Sequence, residues 1–165
     1  MNPKRIRMKL LAIDPGTTKS AWVYMDGDRI IDHAIEDNAD VMRQIRNVGS
    51  FCGTHLVIEQ IASFGMPVGK DVFETVFWSG RFAQLWEQCG GSWSRMPRKE
   101  VCMHICGSAR AKDQNIRQAL IDRYGGKETA IGKKRNPGPL YGIKADEWQA
   151  LGLAITFLEL VKEAA

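Results

Sequence analysis

Apolar positions gather into short runs near the start of this chain and into helical spacings further on. Leu10-Leu11-Ala12-Ile13 is a buried-looking run closed by Asp14, so a first strand is expected over Lys9–Asp14. Residues 20–25 form a second strand, Asp26-Gly27 supplies a tight turn, and residues 28–34 return as a third. Asn38 or Asp40 can cap a helix carrying Val41, Ile45 and Val48, with Gly49 as its stop. The stretch His55-Leu56-Val57-Ile58-Glu59 has no polar interruption, as expected of a strand in the middle of a sheet covered on both faces.

The second half reads mostly as helix. A loop at residues 63–69 carries Gly65, Pro67 and Gly69, and Lys70–Gln88 then shows a broad apolar face closed by Gly90-Gly91. Residues 93–96 make a short strand, and Pro97 opens a helix to about Ile105. Gly107-Ser108-Ala109 interrupts, residues 112–124 form another helix, residues 125–140 a Lys/Gly/Pro-rich loop, and residues 144–164 the closing helix. Three antiparallel strands followed by parallel strands alternating with helices give an α/β fold. The expectation is a mixed five-stranded sheet flanked by helices, in one domain over residues 1–165, with a flexible basic N-terminus at residues 1–8.

Composition narrows the class. A hydrophobic share of 44% against 25% charged suits a soluble globular chain with a core of its own. No stretch approaches transmembrane length and the start lacks an apolar signal core, so a cytosolic location without membrane contact is expected. Cys102-x-His104-x-Cys106 lacks a second ligand pair at zinc spacing, and packing thiols on a helix is the preferred reading. Net charge is +4, but its distribution is uneven: residues 95–135 hold eleven Lys/Arg against four Asp/Glu. The rest of the chain is acidic, and a basic segment on an acidic body points to a polyanionic partner.

The candidate chemistry lies where apolar runs end. Asp14 and Glu59 each close a strand, and Asp146 opens the apolar stretch at residues 148–160. An unpaired buried carboxylate is costly by several kcal/mol, and a hard divalent cation with oxygen ligands is the leading reason to keep one. Asp14 and Glu59 fall on strands that can be neighbours, with Asp146 approaching from above.

Four segments, in order, resemble the motifs of RuvC-type Holliday junction resolvases. They are Ile13-Asp14-Pro15-Gly16-Thr17, Val57-Ile58-Glu59-Gln60, Gly107-Ser108-Ala109 with Lys112, and Ala145-Asp146 ahead of Ala150-Leu151 and Leu153-Ala154-Ile155. The likeness spans residues 9–157, and the length and the Gly65-Met66-Pro67-Val68-Gly69 loop look more like a phage-borne relative, at work in the host cytoplasm. The resemblance implies a ribonuclease-H-like fold, and a homodimer that nicks branched DNA in symmetric pairs with Mg²⁺ or Mn²⁺, one or two ions per subunit. It places Asp14, Glu59 and Asp146 on three of the family's four metal-binding acids, with Lys112 as the basic catalytic partner that balances phosphorane charge. One cation, at Asp14 and Asp146, would activate water; a second, at Asp14 and Glu59, would stabilise the leaving 3′ oxygen.

The fourth acid of the pattern falls on Gln149, which can still offer a metal ligand through its neutral carbonyl oxygen but without charge. That departure weakens a second cation and keeps a nuclease-deficient junction-binding protein as the alternative. Glu147 is next to the site but about 100° away around a helix. For DNA contact, Arg110, Lys112 and Arg117 read as phosphate ligands, Lys133-Lys134-Arg135 as a flexible backbone clamp, and Phe64 as a wedge or stacking group. Phe73, Phe77, Trp78, Phe82 and Trp86 exceed one core-facing stripe and read as a dimer interface, with burial in a larger core as the alternative. Asp14-x-Gly16-Thr17-Thr18 also resembles the first phosphate loop of sugar kinases and actin-like ATPases. No second such loop or adenosine pocket is present, so no nucleotide cofactor is expected.

Overall fold

The computed structural model describes residues 7–47, 53–63 and 65–164. Its centre is a five-stranded sheet of order β3-β2-β1-β4-β5, built from β1 (Lys9–Asp14), β2 (Lys19–Asp26), β3 (Arg29–Asp37), β4 (Thr54–Gln60) and β5 (Ser92–Pro97). The pairs β1–β2 and β2–β3 are antiparallel, whereas β1–β4 and β4–β5 are parallel. The expected mixed sheet is therefore present. β3 runs three residues further than its apolar pattern suggests, because an edge strand can continue through Ile35-Glu36-Asp37 while its backbone pairs with β2.

Helices cover both faces. On one face α1 (Asn38–Asn47) and α2 (Lys70–Gln88) pack over Leu11, Ile13, Trp22, Leu56 and Ile58. On the other, α6 (Glu147–Ala164) lies across β1 and β2, backed by α3 (Arg98–Cys106) and α4 (Asp113–Arg123). Being sandwiched in this way, α6 is apolar almost all round, from Trp148 to Leu158. Burying each Leu, Ile or Phe of these two layers contributes roughly 1.5–3 kcal/mol. No helix among the described residues is long and apolar enough to cross a membrane.

Three local features differ from the pattern reading. Residues 125–140 are not a featureless loop: they form a one-turn helix α5 (Lys127–Ala130) and a hairpin of β6 (Gly132–Lys133) and β7 (Asn136–Pro137). Gly132 has φ +68, and a Cβ there would lie 2.4 Å from the Asn136 carbonyl oxygen, so only glycine fits. Lys133, Lys134 and Arg135 therefore sit on a structured hairpin tip rather than a flexible clamp. α4 begins at Asp113, with the Lys112 N–H donating to Asn115 Oδ1 at 2.9 Å. α6 begins at Glu147 rather than residue 144, because Ala145 takes a positive φ of 43 and sets the turn before it. At the N-terminus Arg7 pairs with Asp26 and Met8 packs against the core.

The aromatics of α2 separate into two sets. Phe82 and Trp86 are fully buried under the sheet, which removes them from any interface. Phe73 and Phe77 are 64% and 60% exposed, and Trp78 is half-buried beneath Arg81. The helix turns about 140° between Phe77 and Phe82, so the two sets face opposite ways.

Candidate active site

The site forms at the carboxyl ends of the two central parallel strands. In β1–β4 pairing Ile13 stands opposite Ile58, which brings the next residues, Asp14 and Glu59, side by side at the sheet edge. Past Asp14 the chain turns through Pro15-Gly16, and this turn is pinned from below. The Gly16 N–H donates to Ser20 Oγ at 3.1 Å, Ser20 Oγ donates to Asn38 Oδ1 at 2.6 Å, and Asn38 Nδ2 donates to the Gly16 carbonyl at 3.0 Å. A Cβ on Gly16 would lie 2.1 Å from the Lys19 carbonyl oxygen, so the turn admits glycine alone. Asp14 is thus held on rigid backbone.

Asp146 occupies the residue just before α6, its carbonyl accepting from the N–H groups of Gln149 and Ala150. With Asp113, Arg117, Trp148 and Gln149 it lines a cleft of about 450 Å³. The acids repel one another. Burial, then the charges of Glu59 and Asp146, push the Asp14 carboxyl up to about 8. Glu59, 7% exposed, is also raised: burial dominates, Arg98 opposes it, and Asp113 and Asp146 add to it.

Arg98 is the residue that sequence reasoning missed. It is the first residue of α3, immediately after Pro97 ends β5, the strand beside β4. Its Nη1 donates to Gln149 Oε1 at 3.1 Å and lies 3.9 Å from Glu59 Oε2, while Nη2 bonds Asp113 Oδ1. Burial works against its charge, yet Glu59 and Asp113 prevail and raise its pKa. Asp113, also unassigned from sequence, is mostly exposed at the start of α4 and anchors the far side of this guanidinium.

Carboxylates that repel at a rigid edge, with an amide oxygen beside them, suit a hard cation as donors. As arranged, however, no group of three or more His, Cys, Asp or Glu side chains among the described residues stands close enough to hold a metal jointly. Arg98 takes the Glu59–Gln149 side.

Other expected residues divide. Glu147 turns away from the site: it is 1% exposed, accepts from the Lys144 N–H at 2.8 Å, and lies 3.1 Å from His33 Nδ1. Its place one residue on from Asp146 points it inward to the core, which removes it as a ligand. Arg117 stacks over the Trp148 ring at 5.4 Å, on the rim of the cleft. Arg110 and Lys112 are exposed nearby, and Phe64 lies outside the described residues. Cys102 is buried with Sγ 3.5 Å from the Ala111 carbonyl oxygen, and His104 pairs with Glu159 at 2.5 Å.

The sequence matches no family model and no curated protein. Solved structures do match. The chain superposes on Thermus thermophilus RuvC with a TM-score of 0.72 at 13% identity, covering 95% of this chain and 97% of that one. T. thermophilus RuvC in complex with a Holliday junction substrate gives 0.70 at 14% identity, covering 95% and 96%. The yeast mitochondrial Holliday junction resolvase gives 0.60 at 13% identity, covering 95% and 82%. Over nearly its whole length, this chain has the RuvC-type, ribonuclease-H-like fold.

Proposed function

We propose that the protein is a divalent-cation-dependent endonuclease that resolves four-way or other branched DNA by paired nicking. The observation that carries this reading is Asp14, beside Glu59 at the end of the paired central strands and pushed up to about 8 by burial and by the charges of Glu59 and Asp146. Such strain is relieved by a cation. The junction complex of a protein with the same fold supports DNA as the substrate.

In this reading Asp14 and Asp146 hold the Mg²⁺ or Mn²⁺, which when bound activates water and offsets charge on the scissile phosphate. Glu59 keeps the adjoining edge negative and orients Arg98. Lys112, at the start of α4, balances the added charge of the phosphorane, and the strands are left with 5′-phosphate and 3′-hydroxyl ends. Arg110, Arg117 and the hairpin tip Lys133-Lys134-Arg135 contact backbone phosphates on the way to the cleft. Incubation with a labelled four-way junction and Mg²⁺ or Mn²⁺ tests the reading: paired nicks support it, and junction binding without any cleavage makes this a binding protein.

Binding is expected to weaken steeply with salt. If the basic groups neutralise six to ten phosphates, affinity falls about 10³–10⁵-fold between 50 and 200 mM salt. Lys112→Ala, Lys134→Ala and Arg135→Ala should each lower the slope of log affinity against log salt by about one. Slopes equal to wild type would place these side chains away from DNA.

Paired cutting needs two sites, and the exposed face of α2 is the proposed dimer contact. Phe73, Val76 and Phe77 are exposed there beside half-buried Trp78. Phe73→Ser with Phe77→Ser is expected to leave the fold intact, since neither ring lies in the core, and to yield monomers by sedimentation that nick one strand only. An unchanged dimer would move the interface elsewhere.

A further inference from the structure

We infer that Arg98 is a built-in cation, filling with its guanidinium the Glu59–Gln149 side of the site, so that the chain binds a single divalent ion. The inference rests on the metal-dependent reading above and specifies its stoichiometry.

Three elements converge on this one side chain. Glu59 comes from the end of β4, Asp113 from the start of α4 and Gln149 from the first turn of α6. Nη1 serves Gln149 at 3.1 Å and faces Glu59 at 3.9 Å, and Nη2 serves Asp113. A guanidinium has five N–H donors in a fixed plane and stays charged at any working pH, so it suits a seat ringed by oxygens on several sides. A divalent ion needs those same oxygens as ligands, freed of donors and facing a common centre. With Arg98 in place, the Gln149 oxygen accepts from the guanidinium and Glu59 faces the same charge at 3.9 Å.

This also gives Gln149 a physical reason. A carboxylate there would set another negative charge close to Glu59, which Arg98 already faces at 3.9 Å. The neutral amide oxygen accepts the Arg98 N–H without that repulsion. Position 149 thus matches an arginine partner, where an acid would match a second metal. Arg98 stands among the reacting groups as a positioning residue for Glu59, and its fixed charge performs the neutralisation.

The test is calorimetric titration of the full-length protein with Mn²⁺ in the absence of DNA. Wild type is expected to bind one ion per chain. Arg98→Met vacates the seat without adding a charge, and Arg98→Met with Gln149→Asp supplies the missing acid; the double variant is expected to bind two. The Mn²⁺-induced rise in Tm should be larger in both variants than in wild type, because more ligand binds the folded state. Arg98→Lys keeps the charge and should retain one ion. A purely structural role would alter Tm without altering stoichiometry.

Two ions bound by wild type overturn the inference with no variant needed, as does a single ion in the folded double variant. If neither Arg98→Met protein folds, Gln149→Asp alone decides it: one ion bound with Arg98 in place supports the inference, and two overturn it. Absence of Mn²⁺ binding in every form overturns the metal-site reading beneath it.

Discussion

Replacing Asp14 by asparagine is expected to abolish strand cleavage while leaving junction binding intact or improved. The substitution keeps the size and the backbone of the Pro15-Gly16 turn, which Ser20 and Asn38 hold independently. It removes the charge at the centre of the acid cluster, and with it the strongest anionic ligand for a cation. A bound cation supplies several kcal/mol of charge stabilisation in phosphodiester hydrolysis. Since each 1.36 kcal/mol is tenfold in rate, the loss is on the order of 10³-fold or more. Binding follows the opposite logic: Asp14 repels phosphate, so its neutral variant should hold DNA at least as well. Single-turnover nicking of a four-way junction in Mn²⁺, beside binding measured in EDTA, separates the two effects. Wild-type nicking by this variant would remove Asp14, and the site built on it, from the chemistry.

The parts of the site that were legible in the sequence share one property: an acid at the end of an apolar run. Strands buried on both faces read as continuous hydrophobic stretches, so β1 and β4 were visible, and Asp14 and Glu59 stood out at their ends. The parallel pairing then made them neighbours. Arg98 carried no such contrast. An arginine after a proline at a helix start resembles any solvated charge, and only the placement of β5 beside β4 turns it toward Glu59. That placement was within reach, since Pro97 marks the strand end and the helix start together. Asp113 was hidden in the same way, beside a lysine that drew attention to phosphate.

The hairpin at residues 132–137 was missed for a different reason. Two-residue strands of Gly, Lys, Asn and Pro carry no apolar period, and a glycine that only this backbone accommodates looks like any loop glycine. On α2 the composition of the helix hides its geometry: five aromatics look like one surface, but the five-residue step from Phe77 to Phe82 sends the latter to the core.

Metal-free protein is expected to lose stability as pH rises from about 4 to about 8. The Asp14 carboxyl is pushed up to about 8, above its ordinary value of about 3.8 in an unfolded chain, and Glu59 is raised as well. Within that window the folded state therefore holds protons that the unfolded state has released. Unfolding free energy falls with pH wherever the folded state binds more protons. The contribution of these groups is complete below the unfolded pKa and is lost as pH rises through the folded one. Asp14 contributes about 1.4 kcal/mol per pH unit across this window, and Glu59 adds to the loss in the same direction. Asp14→Asn removes the like charge that Glu59 faces, so the variant should have a flatter profile and a higher Tm than wild type at pH 8 in EDTA. Added Mn²⁺ should restore wild type at that pH, since a cation on the acids binds only the folded state. Urea unfolding at pH 5 and pH 8, with and without Mn²⁺, gives the comparison directly. If wild type loses no more stability than Asp14→Asn between those pH values, the acids are not held in mutual repulsion, and the electrostatic case for a cation at this edge falls with them.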